Sequence, residues 1–179
     1  PSMKTRTGIR SAIMSEVELL AERLGRELLN RGESLATAES CTGGWAAQAV
    51  TAIAGSSLWF DRGFVTYSNE AKVEMLGVAA NTLERHGAVS EATARAMAQG
   101  ALKHSRATWA LAITGIAGPA GGTPAKPVGM VCLAWAQRKG GCEALTCQFA
   151  GARAEIREQA VRLALSGALK RVMAATLMA

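Results

Sequence analysis

Three stretches of this sequence hold side chains that could do chemistry together. The first is 38-AESCTGGW-45, where a short apolar run ends in Ser40 and two glycines lead into a helix-like run. In α/β sheets, ligands gather at such a strand-to-helix junction. Gly43 and Gly44 let backbone N–H groups face an anion or a developing oxyanion, and the following helix adds its positive end. In that reading Ser40 is a nucleophile, and Cys41, Thr42, Gly43 and Gly44 line the bound substrate. The same residues also suit a tight turn in which Ser40 or Thr42 only caps the helix. Local sequence leaves both open.

A serine nucleophile needs a base. Asp61 is the sole aspartate, the only histidines are His86 and His104, and no G-x-S-x-G occurs. A histidine–aspartate pair is therefore a poor prospect, and lysine is the usual substitute. The second stretch, 64-FVTYSNEAK-72, supplies one: Lys72 follows Tyr67, the only tyrosine, by five residues. A phenol can carry a proton between lysine and serine, and burial can keep a lysine neutral enough to act as base. The plain alternative makes Tyr67 an edge aromatic, Asn69 a helix cap and Lys72 a solvated charge.

The third stretch is 113-ITGIAGPAGG-122, continued by 126-KPVG-129. Thr114, Gly115 and Gly118 there form a plausible anion cradle, although flexible surface loops have the same composition. Arg153 and Arg157, at the start of the last helical run, could meet a phosphate or carboxylate, or simply be solvated.

Other chemistries find no support. G-x-x-x-x-G-K-[ST], G-x-G-x-x-G after a strand and H-E-x-x-H are all missing. Cys41, Cys132, Cys142 and Cys147 form no C-x-x-C pair and read as reduced thiols, so neither a metal nor a cofactor is expected. The formal charge of +6 divides between the first ten residues and the segment from 151 onward, leaving residues 11–150 balanced. A nucleic-acid polymer is not the expected partner, because such binders concentrate basic residues on the folded body with aromatics between them. No apolar run is long enough to span a membrane or follow a signal-peptide start, which makes the cytoplasm the expected compartment.

These residues must be held by regular elements. Helical periodicity predicts an amphipathic helix over Glu16–Asn30, closed by Gly32. A buried strand follows at Ser34–Ala38, then a helix over Trp45–Ala54. Leu58–Thr66 is strand-like, with Gly63 marking a bulge or close backbone approach. Short and longer helices are expected at Glu70–Leu76 and from Ser90 to about His104. Trp109–Ile113 is a second buried strand. Val128–Ala136 and Glu143–Phe149 form a hairpin across QRKGG, and a helix over about Ala154–Ala175 closes the chain. Alternating helices and strands with one hairpin imply a single layered α/β/α domain with a mixed sheet, covering residues 15–179. Residues 1–14 read as a flexible leader or expression remnant.

Taken in order, TAESCTGG, GSSLWFDRGFVTYSNEAK, LGV, HGAVSEATA and ITGIAGPAGGTPAKPVG resemble the CinA C-terminal domain family over roughly residues 16–175. Its stand-alone members include nicotinamide-nucleotide amidases, and no segment like the additional N-terminal domain of longer CinA proteins is present here. The resemblance implies hydrolysis of the carboxamide of nicotinamide mononucleotide, giving nicotinate mononucleotide and ammonia, in pyridine-nucleotide salvage. It makes Ser40 the nucleophile, with Tyr67 and Lys72 activating it and passing the proton to ammonia. Thr114 to Gly118 would line the nucleotide pocket, Arg153 would bind phosphate, and the chain would be a homodimer. The backbone N–H groups around Cys41–Gly44 are candidates for an oxyanion hole, a placement read from the loop itself. One departure stands out: relatives typically read F-x-G-[DN]-R where this chain has 149-FAGAR-153, so Arg153 lacks the usual partner at Ala152. A non-enzymatic nucleotide-binding or regulatory module is the competing reading. The intact Ser40, Tyr67 and Lys72 set separates the two.

Overall fold

The computed structural model describes residues 13–175; the expected leader therefore lies almost wholly outside the described residues. Five strands form one sheet in the order β2-β1-β3-β4-β5. They are β1 (Leu35–Glu39), β2 (Phe60–Val65), β3 (Trp109–Gly115), β4 (Met130–Gln137) and β5 (Cys142–Gln148). β1 runs parallel to β2 and β3, while β3–β4 and β4–β5 are antiparallel, so the sheet is mixed. The helices are α1 (Glu16–Asn30), α2 (Trp45–Thr51), α3 (Asn69–Leu76), α4 (Ala80–His86), α5 (Glu91–Lys103) and α6 (Arg153–Ala175).

The strand sequences explain the layers. Along β3 and β4, large and small residues alternate, so each face of the sheet receives one size class. Leu35, Trp109, Leu111, Ile113, Leu133 and Trp135 face α1, α2 and α6. Ala36, Ala38, Ala110, Ala112, Ala134 and Ala136 face the other way, against α3 and α5. Each buried leucine contributes about 1.5–3 kcal/mol by leaving water. The alanine face gains instead from close approach of its helices. At Gly100 of α5 an added Cβ would lie 2.1 Å from the Leu76 carbonyl oxygen, so only glycine lets α5 seat the end of α3. That contact matters because α3 carries Lys72.

Local expectations mostly hold, with instructive shifts. Gly63 sits where a Cβ would come within 2.7 Å of Thr37 Oγ1, a close approach, whereas the register irregularity falls opposite Leu35 and Ala36. The cap of α3 is Ser68, whose hydroxyl accepts from the Ala71 N–H at 3.0 Å, so Asn69 is already helical. The helix α4 went unpredicted because it buries no residue and so shows no apolar stripe. Much of the basic charge is spent inside the chain: Arg138 donates to the carbonyls of Leu102, Ser105 and Ala107, Arg62 to His104, and Arg31 to Val172. No helix of the described residues is long and apolar enough to cross a membrane.

Candidate active site

The three parallel strands all end at the same edge of the sheet. Ser40 follows β1, Tyr67 lies just past β2, and Thr114 and Gly115 end β3. A cleft of about 270 Å³ opens there, lined by Ser40, Cys41, Tyr67, Lys72, Thr114 and Arg153 among others. Gly115 and Gly118 line it too.

Ser40 is held at its floor. Its N–H donates to the Ile113 carbonyl at 2.9 Å, tying the turn to β3, and the residue is 8% exposed. Lys72 projects from the first turns of α3. Helical side chains lean toward their own N-terminus, and its stem runs back in that direction. The amine reaches the carbonyl oxygens of Thr66 at 2.9 Å and Tyr67 at 3.3 Å, and lies 3.0 Å from Ser40 Oγ. Lys72 is 0% exposed. Burial pulls its pKa below the ordinary lysine value. A neutral amine has two N–H groups and one lone pair. The Ser68 carbonyl lies farther off, at 3.5 Å. With the two N–H groups of the neutral form on the nearer carbonyls, the lone pair is left for the Ser40 hydroxyl proton, the geometry a general base needs.

Cys41, next to the nucleophile candidate, is no rival to it. Burial pushes its thiol up to about 11, which keeps it protonated at neutral pH.

Tyr67 is placed differently from its expected role as proton carrier. It is 64% exposed at the cleft mouth, and its phenol lies 3.4 Å from Arg153 Nη2. What meets Lys72 is the Tyr67 main-chain carbonyl. Arg153 also donates from Nη1 to the Gly118 carbonyl at 2.7 Å, so a loop oxygen orients it in the absence of an acidic or amide residue at Ala152. Thr114 lines the cleft, but its hydroxyl donates to the Ala88 carbonyl at 2.8 Å, anchoring the neighbouring segment.

Thr42, Gly43 and Gly44 are not brought into this cleft. They line a second cleft with Trp45, Gln48 and Arg157. The Thr42 hydroxyl donates to Glu39 Oε1 at 2.7 Å, and the Gly43 N–H donates to the Ser40 carbonyl at 3.0 Å, so both are used within the turn. Gly43 and Gly44 do serve the turn itself, with φ of 60° and 101°.

Glu39 is the residue that motif reasoning passed over. It is 1% exposed, and its carboxylate also accepts from the Ala46 and Ala47 N–H groups at 2.8 and 3.1 Å, capping α2 from beneath. A lone carboxylate ending an otherwise uncharged buried strand was the available signal. Among the described residues no three of His, Cys, Asp and Glu gather as metal ligands.

The comparisons with known proteins agree with this architecture. A family model described as the CinA C-terminal domain matches residues 17–172. A protein of Shigella flexneri named nicotinamide-nucleotide amidohydrolase PncC is 54% identical over 153 residues, 84% of this chain and 92% of its own length. The protein of the same name from Escherichia coli K12 is 55% identical over 152 residues, with the same coverage. Among solved structures, the competence/damage inducible protein CihA from Agrobacterium tumefaciens superposes with a TM-score of 0.85 at 50% identity, covering 89% of this chain and 99% of that one.

Proposed function

The chain belongs to the CinA C-terminal domain family, and on that premise we propose that it is a nicotinamide-nucleotide amidohydrolase using Ser40 and Lys72 as its catalytic pair. Relatives at 54–55% identity bear that activity in their names. The observation that carries the mechanism is the fully buried Lys72 amine 3.0 Å from Ser40 Oγ.

The reaction runs in two halves. Ser40 Oγ attacks the carboxamide carbon of nicotinamide mononucleotide as its proton passes to Lys72 Nζ. The tetrahedral intermediate collapses when Lys72 returns that proton to the amide nitrogen, which leaves as ammonia; an unprotonated amide nitrogen would not leave. Water then attacks the ester on Ser40, Lys72 taking and returning one proton again, and nicotinate mononucleotide departs. One water is consumed and one ammonia released, and no metal is required. Arg153, with three of its five N–H donors beyond those pointing at Gly118 and Tyr67, takes the substrate phosphate. Thr114, Gly115 and Gly118 shape the wall beside it.

Pyridine-nucleotide salvage in the cytoplasm is the setting this reading implies, and all four cysteines are free thiols, as a reducing compartment keeps them. A homodimer is proposed too, supported by the open edge of β2 and by the exposed apolar side chains of Val65, Val73 and Met75; a solution mass of a single chain would refute it.

The test is ammonia release from nicotinamide mononucleotide in the presence of a chelator. Ser40→Ala should keep its circular dichroism and unfolding midpoint and lose turnover. An unchanged rate in that variant removes the Ser40 assignment, and stabilisation by the nucleotide with no product would leave a binding module.

A further inference from the structure

The turn that carries Ser40 is gripped from two sides by opposite charges on distant parts of the chain. From below, the buried Glu39 carboxylate takes hydrogen-bond donors: the Thr42 hydroxyl and the Ala46 and Ala47 N–H groups. From the second cleft, Arg157 of α6 takes acceptors: its Nε donates to the Cys41 carbonyl at 3.0 Å and its Nη2 to the Thr42 carbonyl at 3.2 Å. The guanidinium also lies over the Trp45 ring, 5.6 Å from its centroid. More than a hundred residues separate Arg157 from the turn, so nothing local requires these bonds.

We propose that Arg157, working against Glu39, is a positioning residue that fixes the peptide planes after Ser40 for catalysis. A trans peptide points its C=O and the next N–H in opposite directions. Drawing the Cys41 and Thr42 carbonyls toward Arg157 turns the N–H groups of Thr42 and Gly43 away from the second cleft. The Gly43 N–H then donates to the Ser40 carbonyl, which holds the Ser40 backbone. With the turn's acceptors engaged by Arg157, no carbonyl of Cys41 or Thr42 is left to swing toward the oxyanion that forms at Ser40. Such preorganised dipoles give their effect only while they cannot rotate. The planar, two-pronged guanidinium can bridge two carbonyls in fixed geometry, and an ammonium cannot. The Thr42 carbonyl also accepts from the Trp45 N–H at 3.1 Å, whereas at the Cys41 carbonyl the guanidinium is the partner that holds the plane beside two glycines at positive φ.

This inference rests on Ser40 as nucleophile, and the test separates the two. Parent protein and Arg157→Ala are treated with a fluorophosphonate probe, and intact mass follows the bond formed from Ser40 Oγ to phosphorus as fluoride leaves. The kcat and KM for nicotinamide mononucleotide are measured alongside, with and without about 20 mM guanidinium. In Arg157→Ala, labelling and kcat should fall together by roughly thirtyfold, with KM within threefold. Guanidinium entering the vacated cleft should restore about a tenfold share of both, and Arg157→Lys should recover less than that. Rates within twofold of the parent overturn the proposal. So does a rise in KM with labelling unchanged, which would make Arg157 a substrate contact. A loss that guanidinium fails to relieve also overturns it, reducing Arg157 to a purely structural bond. A parent protein that takes no label at Ser40 removes the nucleophile reading and the clamp with it.

Discussion

Lys72 and Tyr67 lie five residues apart in one stretch, line the same cleft, and live in different solvents. Lys72 is fully buried, its amine enclosed by the carbonyls of Thr66, Tyr67 and Ser68 and by the Ser40 hydroxyl. Tyr67 is 64% exposed, and its phenol lies 3.4 Å from Arg153 Nη2. The floor of the cleft is buried, and that burial lowers the Lys72 pKa, which suits the proposed proton transfer. The rim is wet, so its charges are screened and suited to holding a ligand more than to transferring protons. On the proposed mechanism, one sequence motif supplies a chemical residue and a binding residue, sorted by which side of the β2–α3 turn each leaves from.

The largest effect that tests this division belongs to Lys72. Lys72→Met keeps the stem and removes the base, and it should lower kcat by about a thousandfold, within the range for loss of a general base. The pH profile sharpens the point. The reactive form is the neutral amine, so kcat should rise about tenfold per pH unit below the Lys72 pKa and level off above it. Because burial lowers that pKa, levelling should come below the 10.5 of an ordinary lysine. A profile still climbing at pH 10.5, or flat with pH, would place the working base elsewhere.

The same contrast explains what the sequence disclosed. That Ser40 and Lys72 would meet was legible from the family resemblance together with the missing histidine–aspartate pair, and the two side chains do lie 3.0 Å apart. The layers were legible because β1 and β3 are continuous apolar runs flanked by helical periodicities. The direction of the Tyr67 phenol was not, since a strand-end residue can turn to floor or rim without any change in spacing. The separation of Thr42–Gly44 from the cleft was equally hidden, because it depends on Glu39 and Arg157 gripping the turn across more than a hundred residues of chain. The α4 helix escaped because a helix that buries nothing leaves no period to read.

Arg153 gives the next largest effect, and it should be of the other kind. Arg153→Ala removes a cation that Gly118 and Tyr67 orient at the rim. A charged hydrogen bond to phosphate contributes about 1.5–3 kcal/mol, and exposure puts this one near the lower end. KM for nicotinamide mononucleotide should therefore rise about tenfold with kcat little changed, and turnover of nicotinamide riboside, which has no phosphate, should be unaffected. A matched loss on the riboside would mean that Arg153 acts on the reacting end of the substrate.

The smallest effect is expected where the sequence alone promised a large one. Tyr67→Phe leaves in place the main-chain carbonyl that holds the Lys72 amine, because that contact does not involve the side chain. It removes only the 3.4 Å contact to Arg153, a long hydrogen bond at an exposed site. The variant should keep kcat within about twofold and raise KM by no more than about threefold, with the Lys72 limb of the pH profile unmoved. A hundredfold loss of kcat at constant KM would break the division outright. It would mean that bound substrate draws the phenol down from the rim into the proton path, so that floor and rim become one catalytic unit when the cleft closes around its ligand.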